Sequence, residues 1–407
     1  MNALLQILIL AAAVIATFYL LKKGTNVGMV MLMDSVFVAV LFRMTFTDTL
    51  RFAFNGLVSD KTIKLILALF LIMMLENIMR STGTIKAMVE SLKELVKSNR
   101  LAAAFLPAVL GLLPSPGGAR FSCPMVEEIT KESTSEDNKA FVNYWFRHIW
   151  MDGFILYPGI IVGAELLGIS VISFFFHLIP FMVLNVLVGA FLGLRRIKKE
   201  EIPVTRPWKE SLWIFTKALM PIVLVILIYI ALLNVTGYSL EIACIVMVTA
   251  LLIVKKYNVK RIVITAKEAF PVKLVIIIIG VMVFKEVLLG SGAMDQLPKL
   301  MEQYHIPVAV LFMVLPFLGG FSSGITVSYI SMTFPVLIPL GLGENIWYCA
   351  LAFISGAAGT MLTPLHLCAV MTADFFKSSL GKLLQRVAVG QIVLVAAAAA
   401  IILLVLT

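Results

Sequence analysis

The sequence predicts an all-α polytopic membrane protein, with about ten transmembrane helices and two re-entrant helical hairpins in two inverted-topology repeats. Composition is the first reason: 61% of the 407 residues are apolar, only 14% are charged, and mean hydropathy is +1.02. Soluble domains hold roughly 45–50% apolar residues. The second is that apolar stretches long enough to cross a bilayer recur along the whole chain. The third is that their interruptions match between the two halves. One constant shift lays Gly83 on Gly292, Pro107 on Pro316 and Gly111 on Gly320, and a slightly smaller one lays Gly153, Leu156 and Pro158 on Gly359, Leu362 and Pro364. Helix breakers at corresponding places in two apolar halves point to a binding site between repeats.

A crossing helix needs ~20 mainly apolar residues. Expected spans are 3–21, 26–42, 62–80, 140–167, 171–194, 212–233, 239–254, 272–290, 346–375 and 387–406. The first has no basic residue before it and is followed by Lys22 and Lys23, so it reads as a span and not as a signal peptide. Two more apolar stretches, 101–130 and 308–340, are interrupted mid-way by LLPSPGGARFSCP and LGGFSSGITVS. Proline removes a backbone donor and glycine favours irregular turns, so neither reads as one continuous helix. Irregular backbone at membrane depth survives only where protein or a wet cavity covers it, which suits re-entrant hairpins with tips near the midplane. A kinked ordinary span is the plainer alternative.

Basic residues favour the hairpins. With the amino terminus outside and both hairpins returning to their own side, only Arg43, Arg51, Lys61, Lys64 and Lys299 of the 33 Lys and Arg fall outside, and most of the rest are cytoplasmic. Each half then holds five crossings and one hairpin. Residues 1–195 form the first repeat, 196–211 a cytoplasmic linker and 212–407 the second repeat, inverted. Both termini are expected outside a cell (inner or plasma) membrane. The net charge of +10 follows from cytoplasmic loops facing an anionic leaflet and requires no nucleic-acid partner. Four scattered cysteines, Cys123, Cys244, Cys349 and Cys368, show no paired metal spacing and read as packing residues.

The spans after the hairpins are themselves broken, by MDGFILYPG in 140–167 and GAAGTMLTP in 346–375. Unwound turns are expected at 153–158 and 359–364, because proline blocks the helical bond and disfavours helix just before it. Freed carbonyls suit a cation, and half-helix amino ends suit an anion. Two tips and two turns would meet at one midplane site.

This arrangement resembles the ion transporter superfamily, which includes divalent-anion/sodium symporters and gluconate and citrate permeases. It is most like an uncharacterised prokaryotic integral-membrane family, domain-of-unknown-function 401. The likeness covers nearly the whole chain and is most specific at PSPGGARFSCP (Pro114 to Pro124) and GGFSSGITVS (Gly319 to Ser328). It implies an elevator-type carrier with a scaffold, a mobile domain of hairpins and broken helices, and commonly a homodimer. The dicarboxylate branch carries Ser-Asn-Thr triplets at its tips, and this sequence lacks them.

Substrate binding is expected at Pro114, Ser115, Gly117, Gly118 and Arg120 of the first tip and at Ser322, Ser323, Gly324 and Thr326 of the second. Arg147, His148 and Thr363 join them from the broken spans. An arginine fork suits a carboxylate or phosphate, although Arg147 could instead pair with Asp152. His148 and Asp152 are four apart and could share a proton on one helical face. Cation or proton coupling is expected at Asp152, Gly153, Gly359, Thr360 and His366. Glu76 and Arg80 have helical spacing for an ion pair, whereas adjacent Lys285 and Glu286 point apart.

The expected function is secondary-active transport of a small anionic organic metabolite coupled to Na+ or H+, with no other cofactor and no resident metal. Cation/proton antiport is the alternative, and a passive channel would carry current without coupling. GFSSG matches the G-x-S-x-G pattern of hydrolases, but that motif needs a strand, a sharp turn and a helix. A membrane serine hydrolase using Ser322 and His366 is thereby disfavoured.

Overall fold

The computed structural model describes residues 16–17, 19–20, 23, 25–112, 118–292 and 307–406. Among these the chain is helical, and its only strand-like contact is an isolated bridge from Ser98 to Glu201. Five helices or helix runs are long and apolar enough to cross a membrane: Phe46–Ser81, Val171–Arg196, Trp208–Leu232, Ile346–Phe375 and Leu380–Leu404. The other expected spans differ for identifiable reasons. Val27–Leu41 and Ser239–Val254 are apolar but shorter. Val272–Gly290 carries Lys273, Lys285 and Glu286. The stretch 140–167 is interrupted, and 3–21 lies mostly outside the described residues.

In chain order, α1 is Val27–Leu41, α2 Phe46–Val58, α3 Asp60–Ser81 and α4 Thr84–Leu95. A helix pair follows, α5 at Asn99–Gly111 and α6 at Ala119–Thr130, then α7 (Glu136–Arg147), α8 (Pro158–Leu167) and α9 (Val171–Leu192). The second half runs α10 (Trp208–Leu232), α11 (Ser239–Val254), α12 (Val259–Ala269) and α13 (Val272–Gly290). It ends with α14 (Val308–Ser323), α15 (Thr326–Leu337), α16 (Ile346–Leu362), α17 (Leu367–Phe375) and α18 (Leu380–Leu406). Of these, α2, α4 and α12 are amphipathic helices that hydropathy alone passes over.

Backbone turns recur in pairs. Arg43 and Lys256 adopt left-handed φ of 54° and 53°, two residues past α1 and α11. Thr45 and Asn258 then cap α2 and α12, accepting from the amides of Asp48 and Arg261. Gly83 and Gly292 (φ 73° and 67°) follow α3 and α13. Lys131 and Gly341 follow α6 and the short helical turn Ile338–Leu340 that extends α15. Gly168 and Lys377 (φ 70° and 50°) follow α8 and α17. Only Gly324, between α14 and α15, lacks a described counterpart. Its place in the first pair falls within 113–117.

Packing recurs as well. α1 lies on α13 and α11 on α3, while α5 lies on α7 and α14 on α16. A Cβ added at Gly111 would sit 2.0 Å from the Arg147 carbonyl oxygen, and one at Gly320 would sit 2.1 Å from that of Gly356. Both crossings therefore need glycine for backbones to touch. α6 packs on α17 and α15 on α8, so the later arm of each pair contacts the other half. The linker docks on the first half: Asn99 N donates to Glu200 O at 3.1 Å and Ile202 N to Lys97 O at 2.8 Å.

Candidate functional site

Three breaks converge. α7 ends at Arg147, His148 leaves helical geometry (φ −105°, ψ 5°), and Ile149–Asp152 form a 3-10 turn before irregular backbone reaches Tyr157. Tyr157 is extended, as a residue before proline prefers, and Pro158 opens α8 where its missing N–H costs nothing. α16 ends at Leu362. Thr363 is extended before Pro364 (φ −84°, ψ 140°), and its hydroxyl accepts from Leu365 N at 3.2 Å. Between α14 and α15 the chain turns through left-handed Gly324, whose N–H donates to Gly320 O at 2.8 Å.

The unwound segment of the second broken helix is thus Thr363–His366, a correction to the expected 359–364. Gly359 and Thr360 stay helical, and Thr360 Oγ1 donates to Gly356 O at 3.0 Å. A Cβ at Gly359 would lie 2.0 Å from Phe317 O, so this glycine serves the α14–α16 crossing. Proline alone makes the break.

Imidazoles tie the three breaks together. His366 Nδ1 lies 2.9 Å from Gly324 O, and its Nε2 lies 3.0 Å from His148 Nε2. His148 Nδ1 lies 2.7 Å from Tyr144 O. Tyr144 sits edge-on to both rings and donates its hydroxyl to Met361 O at 3.1 Å, one of the carbonyls left over where α16 stops. Cys368 places its Sγ so that it and a nitrogen of each imidazole all lie within 4.8 Å of one another. Gly324 backs onto Leu365 and His366, and Gly159 at the start of α8 abuts the Thr326 methyl.

His148, Gly324, Thr363 and His366 are therefore brought together, with buried Arg147 next in chain and buried Thr326 beside Tyr157. Ser322 and Ser323 turn back to Gly319 O at 3.0 and 2.8 Å. Gly118 is buried ahead of α6, whereas Arg120 is exposed. Pro114, Ser115 and Gly117 lie outside the described residues. His148 and Asp152 do not pair, because the 3-10 turn between them has three residues per turn and four-apart positions no longer share a face. Asp152 instead accepts from Asn185 on α9, and Gly153 packs on Met182 of the same helix.

Elsewhere Glu76 pairs with Arg80, while Lys285 and Glu286 reach each other only at 4.0 Å. Glu127 pairs with Lys139 at 2.9 Å and Glu128 with Lys93. Asp34 accepts the Thr17 hydroxyl. A cavity of about 380 Å³ between α14, α16 and α18 is walled by apolar groups such as Phe317 and Leu362, with Ser355 and Gln391 its polar members.

Sequence reasoning missed Tyr144, Asn185 and Cys368. Tyr144 stands one helical turn before His148, and Cys368 stands two residues after His366. Both spacings were visible, but their partners come from the opposite half. Asn143 was missed likewise. It donates to Cys123 Sγ at 3.1 Å and Thr372 Oγ1 at 3.0 Å, joining α6, α7 and α17. No curated protein matches the chain in sequence. Residues 4–406 match the family described as "Protein of unknown function (DUF401)", and the chain belongs to that family.

Proposed function

We propose that this protein is a secondary-active carrier that moves a small organic anion across the cell membrane, coupled to Na+ or H+. The observation that carries the reading is the meeting of Gly324–Ile325, Thr363–His366 and His148–Tyr157 in one place, beside the buried Arg147. Broken helices from two related halves converge in this way at the midplane sites of transporters. Buried hydroxyls on α15 fit hydrogen bonding to an anion: Ser328 and Ser331 have no hydrogen-bond partner among the described residues. A cation in the same site lowers the cost of carrying the anion through the bilayer centre.

The paired turns and crossings of the two halves support inverted repeats. In this reading α5–α6 and α14–α15 are re-entrant hairpins, and about ten crossings place both termini outside. They, the broken helices and α18 form the mobile part of an elevator-type homodimer of the ion transporter superfamily. α1–α3, α10, α11 and α13 form the scaffold. Hydrolysis is disfavoured because Ser322 bonds its own helix, while both His366 nitrogens face other groups. The motif also sits at the end of α14, not after a strand.

A thermal-shift screen of organic anions with and without sodium tests the reading, followed by uptake into liposomes. Arg147→Gln should abolish uptake of any anion that stabilises the protein. Arg120→Gln should reduce it less, since Arg120 is exposed. Unaltered uptake in both variants overturns the arginine assignment, and absence of saturable, gradient-driven flux overturns the carrier.

A further inference from the structure

We infer that His148, His366 and Cys368 form a binding site for a thiophilic transition-metal ion of the Zn2+ class. The assignment stands on the geometry alone and holds whether or not the chain is a carrier. Each imidazole places Nδ1 against a backbone carbonyl, Tyr144 O at 2.7 Å and Gly324 O at 2.9 Å. A carbonyl only accepts, so each Nδ1 must carry the hydrogen, and both Nε2 atoms are left as bare lone pairs facing each other at 3.0 Å. Two lone pairs at that distance repel unless a cation lies between them. Metal-ligating histidines characteristically donate the other ring N–H to a backbone carbonyl, as both do here.

The third donor selects the ion. Cys368 Sγ and the two ring nitrogens lie within 4.8 Å of one another. Two nitrogens each about 2.0 Å from tetrahedral zinc stand about 3.3 Å apart, so the imidazoles need almost no adjustment and the thiol closes in by about 1 Å. Na+, Mg2+ and Ca2+ prefer oxygen ligands, whereas a His2Cys set suits Zn2+ and its neighbours. Binding releases the Cys368 thiol proton to solvent, and the resulting thiolate offsets part of the ion's charge beside Arg147. Three protein donors leave a fourth position for water or an anion. On the side of exposed Pro364 and Leu365, His366 and Cys368 are themselves partly exposed.

The test is titration of chelator-treated, full-length protein in detergent with Co2+, the spectroscopic stand-in for Zn2+. One Co2+ per chain should bind with a thiolate-to-cobalt charge-transfer band that Zn2+ displaces. Cys368→Ser, a near-isosteric change, should remove the band, and Cys123→Ser should leave it. His148→Gln should weaken binding by at least about tenfold. Should that variant fail to fold, the two cysteine variants decide alone. Lack of stoichiometric binding overturns the proposal. So does a band that survives in Cys368→Ser, or cobalt bound without one.

Discussion

Arg43 and Lys256 turn the chain left-handed ahead of α2 and α12, and Gly168 and Lys377 do so after α8 and α17. Gly111 and Gly320 each bring a helix within touching distance of a neighbouring backbone. The side chains around these matched places are nevertheless different. The first half presents Tyr144, Arg147, His148 and an Asp152–Asn185 pair, and the second presents hydroxyls, open carbonyls, His366 and Cys368. The matched turns and crossings lie where helices stop in each half. What the breaks hold is set independently in each half, since a side chain at a turn changes without moving the turn.

The glycine crossings should show the largest effect. Gly111→Leu and Gly320→Leu each force backbones apart and should destabilise by about 3 kcal/mol or more, read as lost thermal stability in detergent. Unequal losses would break the correspondence between the crossings. Next is the polar tether from Asn185 to Asp152 in the first half. Asn185→Ala removes the donor of buried Asp152 and should cost about 2 kcal/mol. Gln391→Ala on α18, whose side-chain oxygen has no partner among the described residues, should cost less in the same melt.

Smaller again is the left-handed pair after α8 and α17. Gly168→Ala should destabilise by about 1 kcal/mol, whereas Lys377→Gly relieves the same strain and should be neutral or stabilising. Equal signs would sink the match. The smallest effect concerns the linker, which docks on the first half. Hydrogen bonds from the Thr205 hydroxyl and amide, with one from Arg206 N, hold the exposed Glu94 carboxyl below its ordinary value. The part of the docking that Glu94 contributes is therefore fully present above the usual glutamate range and is lost as pH falls through the lowered value. Amide exchange over 200–206 should rise on acidification, and Glu94→Gln should remove that dependence.

Several breaks were legible from local chemistry. Pro158 and Pro364 dictate extended residues before them whatever packs nearby, and Gly324 supplies the left-handed turn after α14. Gly359 was misassigned because a glycine demanded by a crossing looks the same in sequence as one demanded by a bend. Arg43, Lys131, Lys256 and Lys377 gave no sign of their turns, since their residue types do not favour φ > 0. The amphipathic α2, α4 and α12 escaped because average hydropathy responds to total apolar content and not to one face.

The sequence by itself determined the helical class, the apolar segments and most places where a helix must stop, because these depend on a few adjacent residues. Only the tertiary structure decided partnership. It paired His148 with His366 rather than Asp152, gave Asp152 to Asn185, and added Cys368 to the two imidazoles. Such contacts join residues far apart in the chain. They are set by how α7, α9, α14 and α16 pack, and no local spacing encodes that.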